Sequence, residues 1–510
     1  MAHSSLWQTA LRHEDFPVLA GEVNVDVAVV GAGLAGVMNA YLLKQSGLRV
    51  ALVEARTVGC GETRNTTAHL TALTDEPFYV LIDKHGLEKT RLAWDAGMEA
   101  IELIEAISSA HDIDCDFQRV AANKFAADEE QRYALEAEAD ALLALGIGFE
   151  TGRLVPLPCV DALRFDEQAQ FHPLAFLHHL VTLIPGDGSH VFEHSRVEKM
   201  SGRKLQTAQG TVRAEGIVYA THYPIQEARM GLKLQPYMSY AIAIQGKHHL
   251  DNELYYDYQD PYHYIRRQRD LVIVGGEDHH TGEQLDPRKH HERLVDYARR
   301  NISPNAEVRY AWSGQVLEPL DGLPYIGKRN RREWVASGFS GAGMTFGALS
   351  GRINTDLILK RDNPYAELLS PRRLKGIQGF AEHGAHVAKE YTARASELQD
   401  LEVLSQLAAG DGVLIRRQGK ILAVSRDEEG ELHAVSAVCT HMGCMVRWNG
   451  NERTWDCPCH GSRFTGEGQV YTGPAVKALR PMSLEDEGWA RGLRDMGRSV
   501  RDAVEPPPGP

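Results

Sequence analysis

No apolar run in this 510-residue chain reaches the roughly 18–20 residues that a membrane-spanning helix needs. No block of five or more Lys/Arg occurs, and 55 basic against 69 acidic residues leave a formal charge of −14. That balance argues against nucleic acid or an anionic membrane as the main partner. Met1–Trp7 lacks a basic stretch followed by an apolar core; no signal peptide is read there and the cytoplasm is the expected compartment. Seven cysteines are too few for a disulfide scaffold. There is no internal repeat. With 43% hydrophobic and 24% charged residues, the composition is that of a soluble globular protein and excludes collagen-like, mucin-like or mostly disordered chains.

Length alone suggests about three domains. Residues 1–24 read as a polar lead-in. Val27–Val30 is a buried-strand run, followed by Gly31-Ala32-Gly33-Leu34-Ala35-Gly36, a helical stretch to Gln45 and a second strand ending at Glu54. Residues 87–112 and 128–145 read as amphipathic helices, 236–275 as an antiparallel sheet, and 334–361 as strand, glycine-rich turn and helix. From residue 403 the pattern changes to short strands and turns, and the Pro-rich end 491–510 reads as a tail.

A lone Gly-x-Gly-x-x-Gly is weak, but here it follows a strand, opens a helix and lies 18 residues before an acidic residue at the end of the next strand. Gly31 permits the tight turn, Gly33 lets a pyrophosphate approach the backbone, and Gly36 lets helix and strand pack closely. The helix N-terminus offers N–H groups to phosphate, and Glu54 offers its carboxylate to ribose hydroxyls. No second complete fingerprint exists to receive NAD(P)H, and a polar loop with Arg64, Thr66 and Thr67 follows the acid. The late turn Gly338–Thr345, with Gly343, Met344 and Thr345 opening a helix, could stabilise negative charge on a reduced flavin. FAD is the expected dinucleotide.

These segments, with Ile217–Thr221, Trp312-Ser313-Gly314 and Asp321–Gly327, resemble the D-amino-acid-oxidase-like family that includes glycine and sarcosine oxidases. The resemblance implies a domain over 25–360, with FAD segments near 25–75, 186–222 and 311–360. An inserted substrate domain is implied near 76–185 and 223–310. It also implies oxidation of a C–N bond of an amine or amino acid by hydride transfer to flavin, and it names no catalytic base. Tyr256, Tyr264 and Arg266 are candidate substrate contacts: Arg for a carboxylate, Tyr for an amine by cation–π contact. The competing reading is an ordinary sheet with one aromatic core face and one charged face. His69 is a conceivable attachment point for covalent flavin, a packed histidine being the simpler account. His279-His280 suggests metal ligands only superficially; a turn is expected there.

Four of the seven cysteines fall within residues 439–459. Cys439-x-His441 and Cys457-x-x-His460 sit in two loops separated by fifteen residues, 442–456. Two Cys and two His could hold tetrahedral zinc, but Cys-x-His is tighter than zinc-finger spacing. The constellation, over about 403–490, resembles the Rieske family, whose [2Fe-2S] cluster has two Cys on one iron and two His on the other. The resemblance makes Cys439, His441, Cys457 and His460 the ligands and pairs Cys444 with Cys459 in a disulfide. Ser462 matches a serine that hydrogen-bonds cluster sulfur in the family. Phe464 stands where high-potential members carry tyrosine, which predicts a mid-range potential and argues against a quinol-oxidising subunit.

The expected architecture is thus multidomain α/β plus all-β. A Rossmann-type FAD domain carries an inserted antiparallel substrate domain, a linker covers 361–402, and a C-terminal Rieske β-sandwich follows. The whole resembles bacterial FAD oxidoreductases with a C-terminal Rieske module. The expected function is oxidation of a small amine or amino acid, with electrons passed singly from flavin to the cluster and on to an external acceptor, which could be a protein. The alternatives are a flavin oxidase that reduces oxygen directly, its cluster structural or regulatory, and a redox-sensing protein. A ring-hydroxylating oxygenase is disfavoured, because no two-His-one-carboxylate iron site is evident.

Overall fold

The computed structural model describes residues 4–8, 15–223, 228–231, 233–283, 288–373, 398–417 and 419–484. The expected tail at 491–510, residues 374–397 of the expected linker, and residues 1–3 and 9–14 of the lead-in lie outside the described residues. The chain forms two compact units, Met1–His386 and Val387–Pro510.

In the first unit, strand Gly21–Val30 lies between parallel neighbours Gly210–Tyr219 and Val50–Val53, with His190–Phe192 beyond the latter. Val27–Val30 and Val50–Val53 are continuously apolar because parallel strands are covered on both faces. Helices cover this sheet. Leu34–Gln45, which follows the glycine fingerprint, packs on Gly343–Ile358. Asn39 joins the two: its Nδ2 donates to Ser350 Oγ (2.9 Å) and its Oδ1 accepts from Asn354 Nδ2 (3.0 Å). These bonds are buried, and a buried amide left unpaired would cost about 1–3 kcal/mol. They therefore fix the late glycine-rich turn relative to the early one.

The second layer is a nine-stranded sheet in the order Glu307–Pro319, Leu234–Gln245, Leu271–His280, His263–Gln268, Leu254–Asp257, Gln118–Ala126, Asp161–Gln170 and His69–Leu70, with Glu150–Gly152 paired to Asp161–Gln170. This corrects the expected segment limits. Strand Glu307–Pro319 pairs along its length with Leu234–Gln245, so residues 311–319 belong to the substrate sheet and not to the dinucleotide layer. His69–Leu70, inside the expected FAD segment 25–75, also pairs there. At both places the chain passes from one layer to the other, and local patterns carry no sign of that. The lead-in too is structural: Trp7 is fully buried and its Nε1 donates to Thr66 O at 2.6 Å, while the first strand begins at Gly21, ahead of the expected boundary.

The second unit holds two antiparallel sheets. One has strands Gly412–Arg417, Lys420–Arg426 and Leu432–Ser436. The other has Arg447–Asn449, Thr454–Asp456, Arg463–Thr465 and Val470–Thr472. Trp455, Phe464, Leu414 and Ala423 pack in its core together with Cys439, Cys444, Cys457 and Cys459. Among the described residues, no helix is long and apolar enough to cross a membrane.

Candidate flavin cleft and metal centre

The fingerprint loop has the shape its sequence requires. Gly31 has φ +96°, a left-handed conformation that favours glycine. A Cβ on Gly36 would overlap the Gly31 carbonyl oxygen. Gly33 caps helix Leu34–Gln45 with no side-chain cap, and a Cβ there would meet only the Thr63 hydroxyl, at 3.0 Å. Leu34 N donates to Thr63 Oγ1 (3.0 Å), and the glycine loop otherwise stands clear beside the helix start, a cradle that fits a pyrophosphate. Glu54 lies against it, Oε2 accepting from Ala32 N (2.8 Å) and Oε1 from Arg56 N (2.9 Å). Each oxygen keeps a lone pair for a ribose hydroxyl.

The polar loop runs from the second strand to His69. Arg64 lies in a 3-10 turn, Glu62–Asn65. Thr66 Oγ1 accepts from Ala68 N (3.0 Å), and Thr67 Oγ1 pairs with His69 Nδ1 (3.0 Å). Gly343, Met344 and Thr345 form the first turn of the late helix. Met344 is buried, and Thr345 Oγ1 donates to Thr71 O (2.8 Å), which ties that turn to the end of the polar loop.

The substrate sheet turns one face to this loop. Gln315 N donates to Glu62 Oε2 (2.9 Å) and Trp312 Nε1 to Asn65 O (2.8 Å); a Cβ on Gly314 would lie 3.2 Å from Asn65 Cβ. Directly opposed residues of an antiparallel pair share a face. Gly314 opposes Ser239, Val316 opposes Tyr237, and Glu318 opposes Gln235, so Glu318 and Ser239 lie on the Gly314 side. Ser239 Oγ contacts Tyr264 Oη (2.7 Å) and donates to Asp278 Oδ1 (2.5 Å). Tyr256 opposes Tyr264, and His69 packs against both rings at 5.3 and 5.6 Å. From the dinucleotide side Asp75 accepts a hydrogen bond from Gly341 N, in the late turn. Asp75, Tyr256, Tyr262, Tyr264, Asp278 and Glu318 all keep accessible surface although protein surrounds them. Groups of that kind line a cleft.

The cleft is acidic. Desolvation, with Asp75 and Glu277 nearby, pushes Asp278 up to about 7 against the hydrogen bond from Ser239. Glu318 is held well above its ordinary range by desolvation and by Asp75 and Asp278. Asp75 is raised mainly by desolvation. His69 is pushed down to about 3 by burial and by Arg266, so it stays neutral at physiological pH. Its Nδ1 faces Thr67 Oγ1 and its Nε2 faces Ile265 O at 3.4 Å, the arrangement of a packed histidine.

Arg266 shares the strand with Tyr264 but is fully buried. Its Nη1 donates to the carbonyls of Thr67 (3.2 Å), Ala68 (2.7 Å) and Phe171 (3.3 Å), and its Nη2 to Gln268 Oε1. This guanidinium ties loop to sheet. The expected carboxylate contact finds its donors already engaged. His279 and His280 end a strand, not a turn; their rings stack on Tyr240 and Tyr237 at 5.6 and 4.1 Å. Sequence reasoning passed over Asp75, Ser239, Asp278 and Glu318. They come from distant segments, and only strand register unites them.

In the second unit, two loops present the Cys/His set. Cys439 N donates to Cys444 O (2.8 Å) and Gly443 N to Cys439 O (3.0 Å). In the other loop Cys457 N donates to Ser462 O (2.8 Å) and Gly461 N to Cys457 O (2.9 Å). Cys444 and Cys459 are joined in a disulfide, with Cα atoms 6.4 Å apart, while Cys439 and Cys457 are free thiols. A hydrogen bond from Cys457 lowers Cys439 to about 7, with Ser462 contributing. The His441 and His460 rings are 5.0 Å apart, and His441 Nδ1 is buried without a hydrogen-bond partner. Two thiols within reach of each other, with a buried nitrogen lacking a protein partner, suit a metal cluster.

Ser462 Oγ accepts from Ala475 N (3.0 Å), which leaves its proton for Cys439 Sγ. Such a bond favours the more negative, reduced cluster. Ser462→Ala is expected to lower the cluster potential by tens of millivolts, where ~59 mV is tenfold for one electron. Phe464→Tyr, at a fully buried ring beside the cysteines, is expected to raise it. Protein-film voltammetry checks both signs. Replacing Cys444 and Cys459 by serine opens a link with a sequence separation of 15. The expected loss is about 3 kcal/mol of stability in this unit, read from urea unfolding monitored by cluster absorbance.

A glycine-fingerprint layer facing an antiparallel substrate sheet, with a second β unit that offers two Cys and two His from paired loops, defines a flavoprotein oxidoreductase joined to a Rieske module. The chain belongs to the DAO family of FAD dependent oxidoreductases, whose model matches residues 26–357, and residues 398–483 match the Rieske [2Fe-2S] domain. That span begins and ends somewhat earlier than the expected 403–490. FAD and a [2Fe-2S] cluster are its cofactors. The Bacillus subtilis (strain 168) protein YhfW, described as a Rieske 2Fe-2S iron-sulfur protein, is 32% identical over 503 residues, 95% of this chain and 98% of its own. Gamma-glutamylputrescine oxidoreductase of Escherichia coli K12 is 24% identical, covering 69% of this chain and 87% of the relative. Glycine oxidase from Geobacillus kaustophilus shares the fold of the first unit, with a TM-score of 0.58 at 22% identity over 69% of this chain and 99% of that one.

Proposed function

We propose that the protein oxidises the C–N bond of a small amine or amino acid and passes the electrons one at a time to its Rieske cluster, and from there to an external acceptor, as a dehydrogenase of the cytoplasm. The observation that carries this reading is strand register: it sets Tyr256, Tyr264, Ser239 and Glu318 on the sheet face that looks at the polar loop of the dinucleotide layer. FAD held there would supply the hydride acceptor. Gly31, Gly33 and Gly36 shape the phosphate cradle, Glu54 holds the ribose, and the first turn at Gly343 points N–H groups toward negative charge. Tyr256 and Tyr264 wall the substrate. Asp278, raised to about 7 by desolvation and its acidic neighbours, sets a carboxyl group in the cleft where an ammonium can meet it. Names of relatives support the chemistry: one acts on gamma-glutamylputrescine, and the structural neighbour is a glycine oxidase.

The test compares the native protein with His441→Ala under turnover. The proposal expects substrate still to bleach the flavin in the variant, while electron delivery to a one-electron acceptor such as ferricyanide falls at least about tenfold. Unchanged delivery, with hydrogen peroxide formed at the native rate, would instead make the protein an oxidase with a structural cluster.

A further inference from the structure

The substrate cleft of the first unit concentrates carboxyl groups. Asp75, Asp278 and Glu318 come from three separate segments, and each lies within electrostatic reach of the others. Asp75 is fixed by Gly341 N, Asp278 by Ser239 Oγ, and Glu318 by its place on the strand opposite Gln235. Aromatic rings complete the wall: Tyr262 and Tyr264 have centroids 5.7 Å apart, and Tyr256 lies across from Tyr264. Tyrosine faces attract cations.

Positive charge is missing from this wall among the described residues. Arg266, the cation nearest in sequence to the tyrosines that faces the same way, spends its guanidinium on four main-chain carbonyls and Gln268. Lys124, which acts on Asp75 electrostatically, is paired with Glu138 at 2.7 Å in a buried bridge. A substrate carboxylate entering here would meet three carboxyl groups while Arg266 and Lys124 are already engaged, and like-charge juxtaposition is costly in a low-dielectric site. A second ammonium group would meet the opposite.

Resting on the amine-oxidising reading above and narrowing it, we propose that the cleft takes a diamine or polyamine. Such a substrate carries a second ammonium for Asp278 and Glu318 and has no carboxylate beside the reacting nitrogen. In the reaction, the C–H bond beside the neutral nitrogen breaks and its hydride passes to bound FAD. The N–H proton passes to water, and a C=N bond forms. Water then adds to the imine, which releases the aldehyde and an amine or ammonia. Two electrons leave the substrate and two are gained by FAD.

The geometry also predicts a pH dependence. A carboxylate is charged above its pKa, so Asp278, held up to about 7, gains its charge as pH rises through neutrality. The groups that act on it are Asp75, Glu318, Tyr237, Tyr262, Tyr264 and Ser239, with Glu277 the preceding residue of its own strand. KM for a diamine is therefore expected to fall as pH rises from about 6 to 8.

The experiment is anaerobic flavin bleaching in the full-length, FAD-loaded protein. 1,4-Diaminobutane and spermidine are compared with butylamine, glycine, sarcosine and L-proline. The diamines are expected to exceed both butylamine and the amino acids at least about tenfold in reduction rate over half-saturation, a difference of about 1.4 kcal/mol. Asp278→Asn, or Glu318→Gln should that variant fail to fold with FAD, is expected to cut the diamine-over-butylamine preference about tenfold, chiefly through KM. Faster bleaching by amino acids, or equal bleaching by butylamine and diamine, would overturn the diamine assignment and leave amine oxidation standing. Bleaching by dithionite but by no amine or amino acid would overturn both.

Discussion

His441→Ala is expected to abolish the cluster while leaving the flavin in place. His441 Nδ1 is buried and has no protein partner, which suits a metal ligand. His460 lies with its ring 5.0 Å away, and the two histidines would share one iron. Alanine would leave that iron with one protein ligand. Iron content and the Rieske-type EPR signal after dithionite should both fall to near background. The dinucleotide cradle lies in the other compact unit, so FAD content should stay at its native level. A full Rieske signal in the variant would show that His441 is not a ligand.

Gly36→Val is expected to produce the converse: cluster retained, flavin lost. A Cβ at this position would overlap the Gly31 carbonyl oxygen, and both groups are backbone held between a strand and a helix. Neither can rotate away as a side chain would. Overpacking a well-packed core costs about 1–3 kcal/mol even where side chains yield. A backbone clash at the cradle should reach the upper end, and about 3 kcal/mol corresponds to roughly a hundredfold loss of FAD affinity. The purified variant should carry less than about a tenth of the native flavin, and added FAD should no longer raise its melting temperature as it does for the native chain. Native flavin content in Gly36→Val would place the dinucleotide elsewhere.

The two cofactors were legible in the sequence because the motifs that point to them are local. Gly31, Gly33, Gly36 and Glu54 span one strand–helix–strand unit, and Cys439, His441, Cys457 and His460 span two adjacent loops. Short strands such as Gly412–Arg417 and Lys420–Arg426 agree with the change of pattern expected from residue 403. The substrate cleft was not legible, because Asp75, Ser239, Asp278 and Glu318 meet only through pairing of strands far apart in the chain. Trp312-Ser313-Gly314 misled for the same reason. Its motif pointed to the dinucleotide layer, whereas its strand is paired across the other sheet. Arg266 shows a further limit. An arginine beside tyrosines suggests an anion site, and only the carbonyls of Thr67, Ala68 and Phe171 reveal that its donors are already engaged.

The central claim is that flavin and cluster are wired together. Low-temperature EPR of the anaerobic protein before and after an amine that bleaches its flavin tests it most directly. The account predicts a Rieske-type signal that grows as the flavin is reduced and approaches the intensity reached with dithionite. Bleached flavin beside a cluster that only dithionite reduces would contradict it.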